Sequence, residues 1–117
     1  MRHRVLVMNG QRIVQNEQTP GTWQTEHVDK AGQLKPGIYN IYAASAADKG
    51  KAHEGVIIHA DKQAIYQQIG RQFVQHERAN FDKVPDIGSA KSITYDSSTG
   101  RAQVAAASEK LGKKLSR

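Results

Sequence analysis

Short apolar runs separated by turn signals recur along the first part of the chain and predict antiparallel strands. Residues 5–8 and 12–15 flank Asn9-Gly10, a dipeptide that tolerates the positive φ angles of a type I′ turn, and they predict a hairpin. A second turn signal at 19–21 precedes residues 22–28, whose alternation of polar and apolar side chains predicts a third strand. These three segments indicate a sheet built from sequence neighbours.

Five later segments also have the character of strands. Residues 38–44 are apolar on both faces of an extended chain, which predicts a central strand. Residues 55–60 form the most β-branched stretch of the sequence and predict another. Residues 71–75 alternate around a phenylalanine, and residues 91–96 and 101–106 flank a Ser-Ser-Thr-Gly turn that predicts a second hairpin.

One segment has helical spacing instead. Within residues 62–69, apolar side chains spaced i, i+1 and i+4 share one helical face. Asp61 stands at the N-cap position, where its carboxylate accepts from amides two or three residues on, and Gly70 stands where a helix ends. We therefore expect a short helix here, followed by a single turn within 76–83 that carries Phe81 inward.

Eight strands and one helix predict an α+β fold. The expected architecture is a small, strongly curved antiparallel β-sheet or partial barrel with one short helix and a basic C-terminal tail. A length of 117 residues fits one domain, which we assign to residues 1–107. Residues 108–117 are basic and poorly apolar, and they predict a flexible tail.

Composition narrows the cellular setting and the kinds of site. The chain has no cysteine, which excludes a disulfide framework and any thiolate-bound zinc or iron–sulfur site. The apolar run near the start is only four residues long, whereas a signal peptide needs about 7 to 15 and a membrane helix about 18. We expect a cytoplasmic protein that makes no contact with a membrane.

The histidines do not form a recognisable metal motif. His53 and His59 are six residues apart and share a face of an extended chain, so Asp61 or His76 would complete a zinc site only if the fold brought them near. No HExxH or comparable ligand spacing is present. The favoured interpretation is structural, with no bound metal and no cofactor.

Catalytic patterns are also missing. His76-Glu77 with Asp82 would make an acid–base pair, but no nucleophile motif such as GxSxG accompanies them. Neither GxxxxGK[ST] nor GxGxxG occurs, and the ten glycines are scattered. The sequence therefore predicts a protein that is not an enzyme and has no catalytic residue.

The charge pattern favours acidic partners. The formal net charge is +6, and residues 101–117 hold five of the 17 Lys and Arg residues but one of the 11 Asp and Glu residues, a net +4. A cationic arm can neutralise phosphates without a preformed site, although a merely solubilising terminus explains the same charges. Phe73 and Phe81 are assigned to the core rather than to base stacking. The candidate nucleic-acid-binding residues are Arg71, Arg78, Lys83, Lys110, Lys113, Lys114 and Arg117.

Several stretches together resemble a known family. They are GVIIHAD at 55–61, IYQQIGR at 65–71, FVQH at 73–76, VPDIG at 84–88 and ITY at 93–95. This pattern is similar to the KfrB-type domain of plasmid proteins, a family that includes small proteins of the conjugal transfer TraO type. VMNGQRIV at 7–14 and LKPGIY at 34–39 extend the likeness over nearly the whole chain.

The resemblance implies a bacterial plasmid accessory protein without a catalytic motif. The leading hypothesis is a non-enzymatic, TraO-like protein that acts in conjugal transfer, or in stable plasmid inheritance, through contacts with plasmid-encoded transfer or partition proteins. The alternative is a single-stranded DNA or RNA-binding module that uses the basic tail. The oligomeric state stays open, because a sheet of short strands can leave an edge for pairing between copies.

Overall fold

A computed structural model describes residues 2–106, which form ten β-strands and two single turns of 3₁₀ helix. The chain divides into two compact units, with the division between Ala44 and Ser45. Each unit contains its own sheet, of four strands in the first and six in the second. No helix within 2–106 is long and apolar enough to cross a bilayer.

The first unit is an antiparallel sheet with strand order β3-β2-β1-β4. Val5 and Val14 lie directly opposite each other and are buried, as is Tyr39, which pairs with Val5 from the other side. The strands of this sheet are β1 (Arg2–Met8), β2 (Gln11–Thr19), β3 (Thr22–Lys30) and β4 (Gly37–Tyr39).

The first hairpin is confirmed, whereas the prediction for residues 38–44 is wrong. Asn9 and Gly10 have φ angles of 53° and 74°, and the register of β1 with β2 runs unbroken to the turn. The expected central strand is only the three-residue β4, which lies at the edge of the sheet, and Ile41–Ala43 turn into 3₁₀ helix. Ile38 is 64% exposed, so its apolar side chain does not indicate burial on both faces.

The second unit is a six-stranded sheet with order β10-β9-β6-β7-β8-β5. All neighbouring pairs are antiparallel except the short β5, which runs parallel to β8. The hairpin predicted around the Ser-Ser-Thr-Gly turn is confirmed as β9 and β10. The strands are β5 (Ser45–Ala46), β6 (His53–Ala60), β7 (Ala64–Ile69), β8 (Gln72–Glu77), β9 (Ala90–Tyr95) and β10 (Ala102–Ala106).

The predicted helix at 62–69 is wrong, because this segment is the central strand β7. Asp61 does accept from the amides two and three residues on, with Oδ1 2.8 Å from both the Gln63 and Ala64 nitrogens. These bonds close the tight β6–β7 turn rather than cap a helix. Gly70 has a φ of 61° and turns the chain into β8. A carboxylate cap and a glycine stop thus fit a hairpin as well as a helix.

The core of the second unit lies on one face of its sheet. Ile57, Ile65, Phe81 and Ile93 are buried together there, so the expectation that Phe81 points inward is confirmed. Position 55 of β6 is a glycine because a Cβ there would overlap the Gln68 carbonyl oxygen of β7. The close approach of the two strands therefore requires glycine.

The α+β fold class is accordingly wrong. The described chain is nearly all β, in two sheets of which neither closes into a barrel, and its only helical residues are the 3₁₀ turns Ile41–Ala43 and Arg78–Asn80. The tail predicted at 108–117 lies outside the described residues.

Candidate functional site

A buried polar network crosses the centre of the second sheet. Gln67 of β7 is fully buried, and its Nε2 lies 2.9–3.2 Å from three backbone carbonyl oxygens, those of His53, Gly55 and Lys91. A side-chain amide nitrogen only donates, so the Gln67 Oε1 atom is left to accept. His76 of β8 meets it there, with Nε2 2.9 Å from Oε1.

These contacts fix the protonation of His76. Its Nε2 must carry the proton that is donated to Gln67, so the neutral ring presents an unprotonated Nδ1, 2.5 Å from the Tyr95 hydroxyl. The Tyr95 hydroxyl therefore donates to Nδ1. Burial, and to a smaller extent the nearby His53, lower the pKa of His76 to about 4. Burial, and then the charge of Glu77, raise the pKa of Tyr95 to about 12.

The network stabilises the sheet and does not resemble a reactive site. His76 is fully buried and bonded through both ring nitrogens, while the adjacent Glu77 is exposed and Asp82 forms an ion pair with Arg101. The acid–base pair considered from the sequence is therefore not brought together. Groups of three potential metal ligands are also absent from residues 2–106. His53 instead donates from Nε2 to the Asp48 carbonyl oxygen, 2.8 Å away.

An open groove lies at the β10 side of the same unit. It has a volume of about 280 Å³. Val84 and Pro85 approach it from the segment between β8 and β9, and Val104 approaches it from β10. Lys83 and Lys91 add two positive charges to the lining, against one negative charge from an aspartate, so the groove combines apolar and charged side chains in about equal measure and carries a net positive charge. The residues that line it are Lys83, Val84, Pro85, Asp86, Lys91 and Val104.

The groove continues the apolar core to the surface. Val104 lies directly opposite Ile93, so both side chains are on the core face of the sheet, and Lys91 shares that face two residues earlier on β9. Ile93 is fully buried, but Val104 is 39% exposed because no further strand covers it among the described residues. Val84 packs against the buried cluster from the opposite wall.

The segment behind the groove is held by backbone contacts. Gly88 donates to the Ile57 carbonyl oxygen at 2.7 Å, and the Ile57 amide donates to the Ser89 carbonyl oxygen at 3.0 Å. Gly88 has a φ of 90°, which favours glycine at this point of the turn. The stretch 84–88, singled out in the sequence for its family likeness, thus contributes its first three residues to one wall of the groove.

The three basic candidates in the folded unit do not form one patch. Arg71 is exposed at the β7–β8 turn, whereas Arg78 follows the other end of β8, roughly 20 Å away along an extended strand. Of these three candidates, only Lys83 lines the groove. Lys91 lies there too, although it was not among the candidates predicted from the sequence. Lys83 and Lys91 lie in the same groove because of how the strands pair. The one sequence signal near this site was the family-like stretch that follows Lys83. The remaining candidates Lys110, Lys113, Lys114 and Arg117 lie outside the described residues.

An arginine–aromatic cluster in the first unit also went unnoticed in the sequence. Trp23 and Tyr42 have ring centroids 6.0 Å apart, and Tyr42 is 42% exposed rather than part of the core. Arg4 Cζ lies 4.2 Å from the Trp23 ring centroid and Arg2 Cζ lies 4.7 Å from that of Tyr42, while Arg2 also binds Glu17. One guanidinium group of the chain itself therefore lies over each of the two rings.

Comparison with known proteins places the groove inside a recognised domain. The family model described as KfrB Domain matches residues 52–106, which contain β6–β10 and every residue of the groove. The chain is also similar to protein TraB of Escherichia coli. The two are 32% identical over 101 residues, which cover 84% of this chain and 68% of that protein. The family resemblance inferred from the sequence is confirmed.

Proposed function

The chain belongs to the KfrB domain family, and on this premise we propose that it is a plasmid accessory protein that works by binding other proteins and not by catalysis. Family membership supports the plasmid association. The observation that carries the binding role is the contrast within the domain between its buried and its exposed chemistry.

The groups best suited to proton transfer are internal in this domain. His76 is fully buried and bonded through both ring nitrogens, and its partner Tyr95 donates to it. The surface instead offers a partly apolar groove with two lysines and an edge strand that no described strand covers. Such features bind a partner segment more readily than they activate a substrate.

We place the role in conjugal transfer or in stable inheritance, with plasmid-encoded transfer or partition proteins as partners. The test begins with removal of the coding segment from the replicon that carries it. Transfer frequency to a recipient and plasmid loss per generation without selection are then measured in parallel. A defect in transfer alone supports the first role and a defect in retention alone supports the second. Unchanged values of both contradict the proposal.

A biochemical arm identifies the partners. The full chain serves as bait for the transfer and partition proteins of the same replicon, produced individually. We expect at least one to be retained in a manner that survives moderate salt, because the apolar side chains of the groove contribute to binding. If the bait captures none of these proteins, and plasmid transfer and plasmid inheritance are both at wild-type levels, the protein-docking role has no support.

A second candidate function is binding of single-stranded DNA or RNA through residues 108–117. The observation that favours it is the composition of that segment, which holds four Lys and Arg residues and a single acidic residue. Electrophoretic mobility shift at two salt concentrations tests it, since affinity that depends on phosphate neutralisation falls steeply with salt. Affinity that is insensitive to salt, or that survives deletion of 108–117, rejects this version.

A further inference from the structure

The edges of the two sheets differ in how they are protected against pairing. An edge strand is normally guarded by short length, by charged residues, by proline or by bulges. Strand β5 has two residues and β4 has three, while the nine-residue β3 carries three charged residues and two register irregularities against β2. Strand β10 has five residues, no charge, no proline and an unbroken register with β9.

The backbone of β10 is also accessible. Residues 103–106 are exposed, and within the described part of the chain β10 pairs with β9 alone. Its free edge therefore presents backbone N–H and C=O groups that can extend the ladder. Resting on the proposed function, we propose that the KfrB domain binds an extended acidic and aliphatic segment of a partner protein as a seventh strand along β10.

The groove explains the aliphatic part of this specificity. An added strand would lie about 4.8 Å from β10, with every second side chain on the core face of the sheet. Val104 marks that face at the edge, and the groove between it and Val84 and Pro85 lies beside the added strand. An aliphatic side chain from the partner would continue the apolar layer that ends at Val104.

Charge decides between the possible occupants. Lys83 and Lys91 line the groove with Asp86 as the one acidic member, so carboxylates on the incoming strand are favoured. A second copy pairing through its own β10 would bring no carboxylate, since residues 102–106 carry no charge. The chain's own residues 107–117 hold four Lys and Arg residues and one Glu, which is the wrong sign.

The experiment measures binding of labelled decapeptides to the full chain by fluorescence anisotropy. The first peptide alternates glutamate and valine. The second alternates lysine and valine, and the third has the composition of the first in two blocks of five. We expect the first to bind roughly tenfold more tightly than either of the others, since only it combines the alternation of a strand with the required charge. Equal affinities, or no binding by any peptide, would overturn the proposal.

Matched variants test the location. Val104→Asp places a charge on the groove face, while Ala105→Asp places the same charge one residue along the same exposed strand on the opposite face. We expect roughly tenfold weaker binding for the first and less than about threefold for the second. Lys91→Glu reverses a charge in the groove, and Arg71→Glu reverses one at the distant β7–β8 turn. We again expect the groove variant to bind much more weakly and the distant variant to bind nearly as the wild type. If Val104→Asp and Ala105→Asp lose affinity equally, the groove is not the site.

Amide hydrogen exchange supplies an independent measurement that needs no variant. Addition of the glutamate–valine peptide should slow exchange of β10 amides, because their edge becomes hydrogen-bonded, and leave β3 amides unchanged. Protection elsewhere without protection of β10 refutes the edge. Analytical sedimentation tests whether a second copy of the chain occupies the edge instead. If the chain is a dimer and Val104→Asp converts it to a monomer, the edge pairs with a second copy and the proposal is overturned.

The outcome is separable from that of the proposed function. Wild-type plasmid transfer and retention combined with peptide binding at β10 would leave a peptide-binding edge without the plasmid role. Retention of a plasmid-encoded partner that Val104→Asp does not weaken would leave the plasmid role without this edge.

Discussion

Acidification should destabilise the second unit through His76. The ring is fully buried and bonded through both nitrogens, and its pKa is lowered from 6.5 to about 4. Above pH 6.5 the ring is neutral in the folded and unfolded states, so it adds no pH dependence there. Between pH 6.5 and 4 the unfolded state takes up a proton that the folded state refuses, so stability falls as the pH falls.

The magnitude follows from the size of the shift. One pKa unit corresponds to about 1.4 kcal/mol, so the change from 6.5 to about 4 lowers the free energy of unfolding by about 3 kcal/mol across this window. Below pH 4 the contribution becomes constant. Carboxylates titrate in the same range, so the quantity to compare is the difference between the wild type and a variant without an ionisable group at position 76.

The assay combines two measurements. The carbon and proton shifts of the His76 ring are followed by NMR from pH 7.5 to 3.5, and urea unfolding is followed by circular dichroism at pH 7, 6, 5 and 4. His76→Gln retains an amide donor and acceptor at this position. We expect it to be less stable at pH 7 but to lose about 3 kcal/mol less than the wild type on acidification. His27→Gln, at an exposed position of the first unit, is the control, because it removes a histidine and leaves the buried network intact.

The reasoning is refuted if His76 titrates near 6.5. It is refuted equally if His76→Gln and the wild type lose the same free energy between pH 7 and 4. A charged His76 in the native fold could not accept the bond that the Tyr95 hydroxyl donates to Nδ1. Since we expect the ring to stay neutral, the NMR signal of the Tyr95 hydroxyl proton should persist down to pH near 4.

Three further substitutions test other parts of the fold, each by urea unfolding. Gly55→Ala forces a Cβ against the backbone of β7 and should cost about 2 kcal/mol or more, whereas Gly50→Ala should change little; equal effects would contradict the close strand approach. Tyr95→Phe removes the hydroxyl that donates into the buried network and should cost about 1–3 kcal/mol, so a neutral result would argue against that bond. Asp61→Ala removes the acceptor of two turn amides and should cost about 1 kcal/mol, while Asp61→Asn keeps a carbonyl oxygen and should recover most of it.

The local sequence determined those elements whose signals lie within a few residues. Asn9-Gly10 specifies a two-residue turn through its positive φ angles, and the hairpin around it follows in register. The β-branched stretch at 55–60 forms a strand, and the family-like residues identify the KfrB domain. Absence of cysteine likewise excludes thiolate chemistry without reference to the fold.

Tertiary structure decided what depends on distant neighbours. Residues 62–69 have a helical spacing, but strands β6 and β8 pair with them on both sides, and the ladder hydrogen bonds and core contacts outweigh that local preference. Gln67 reads as a solvent-facing residue until the sheet places three carbonyl oxygens around its amide. Lys83 and Lys91 come together because β9 returns along the core. The groove therefore arises from strand order, which no short segment of sequence encodes by itself.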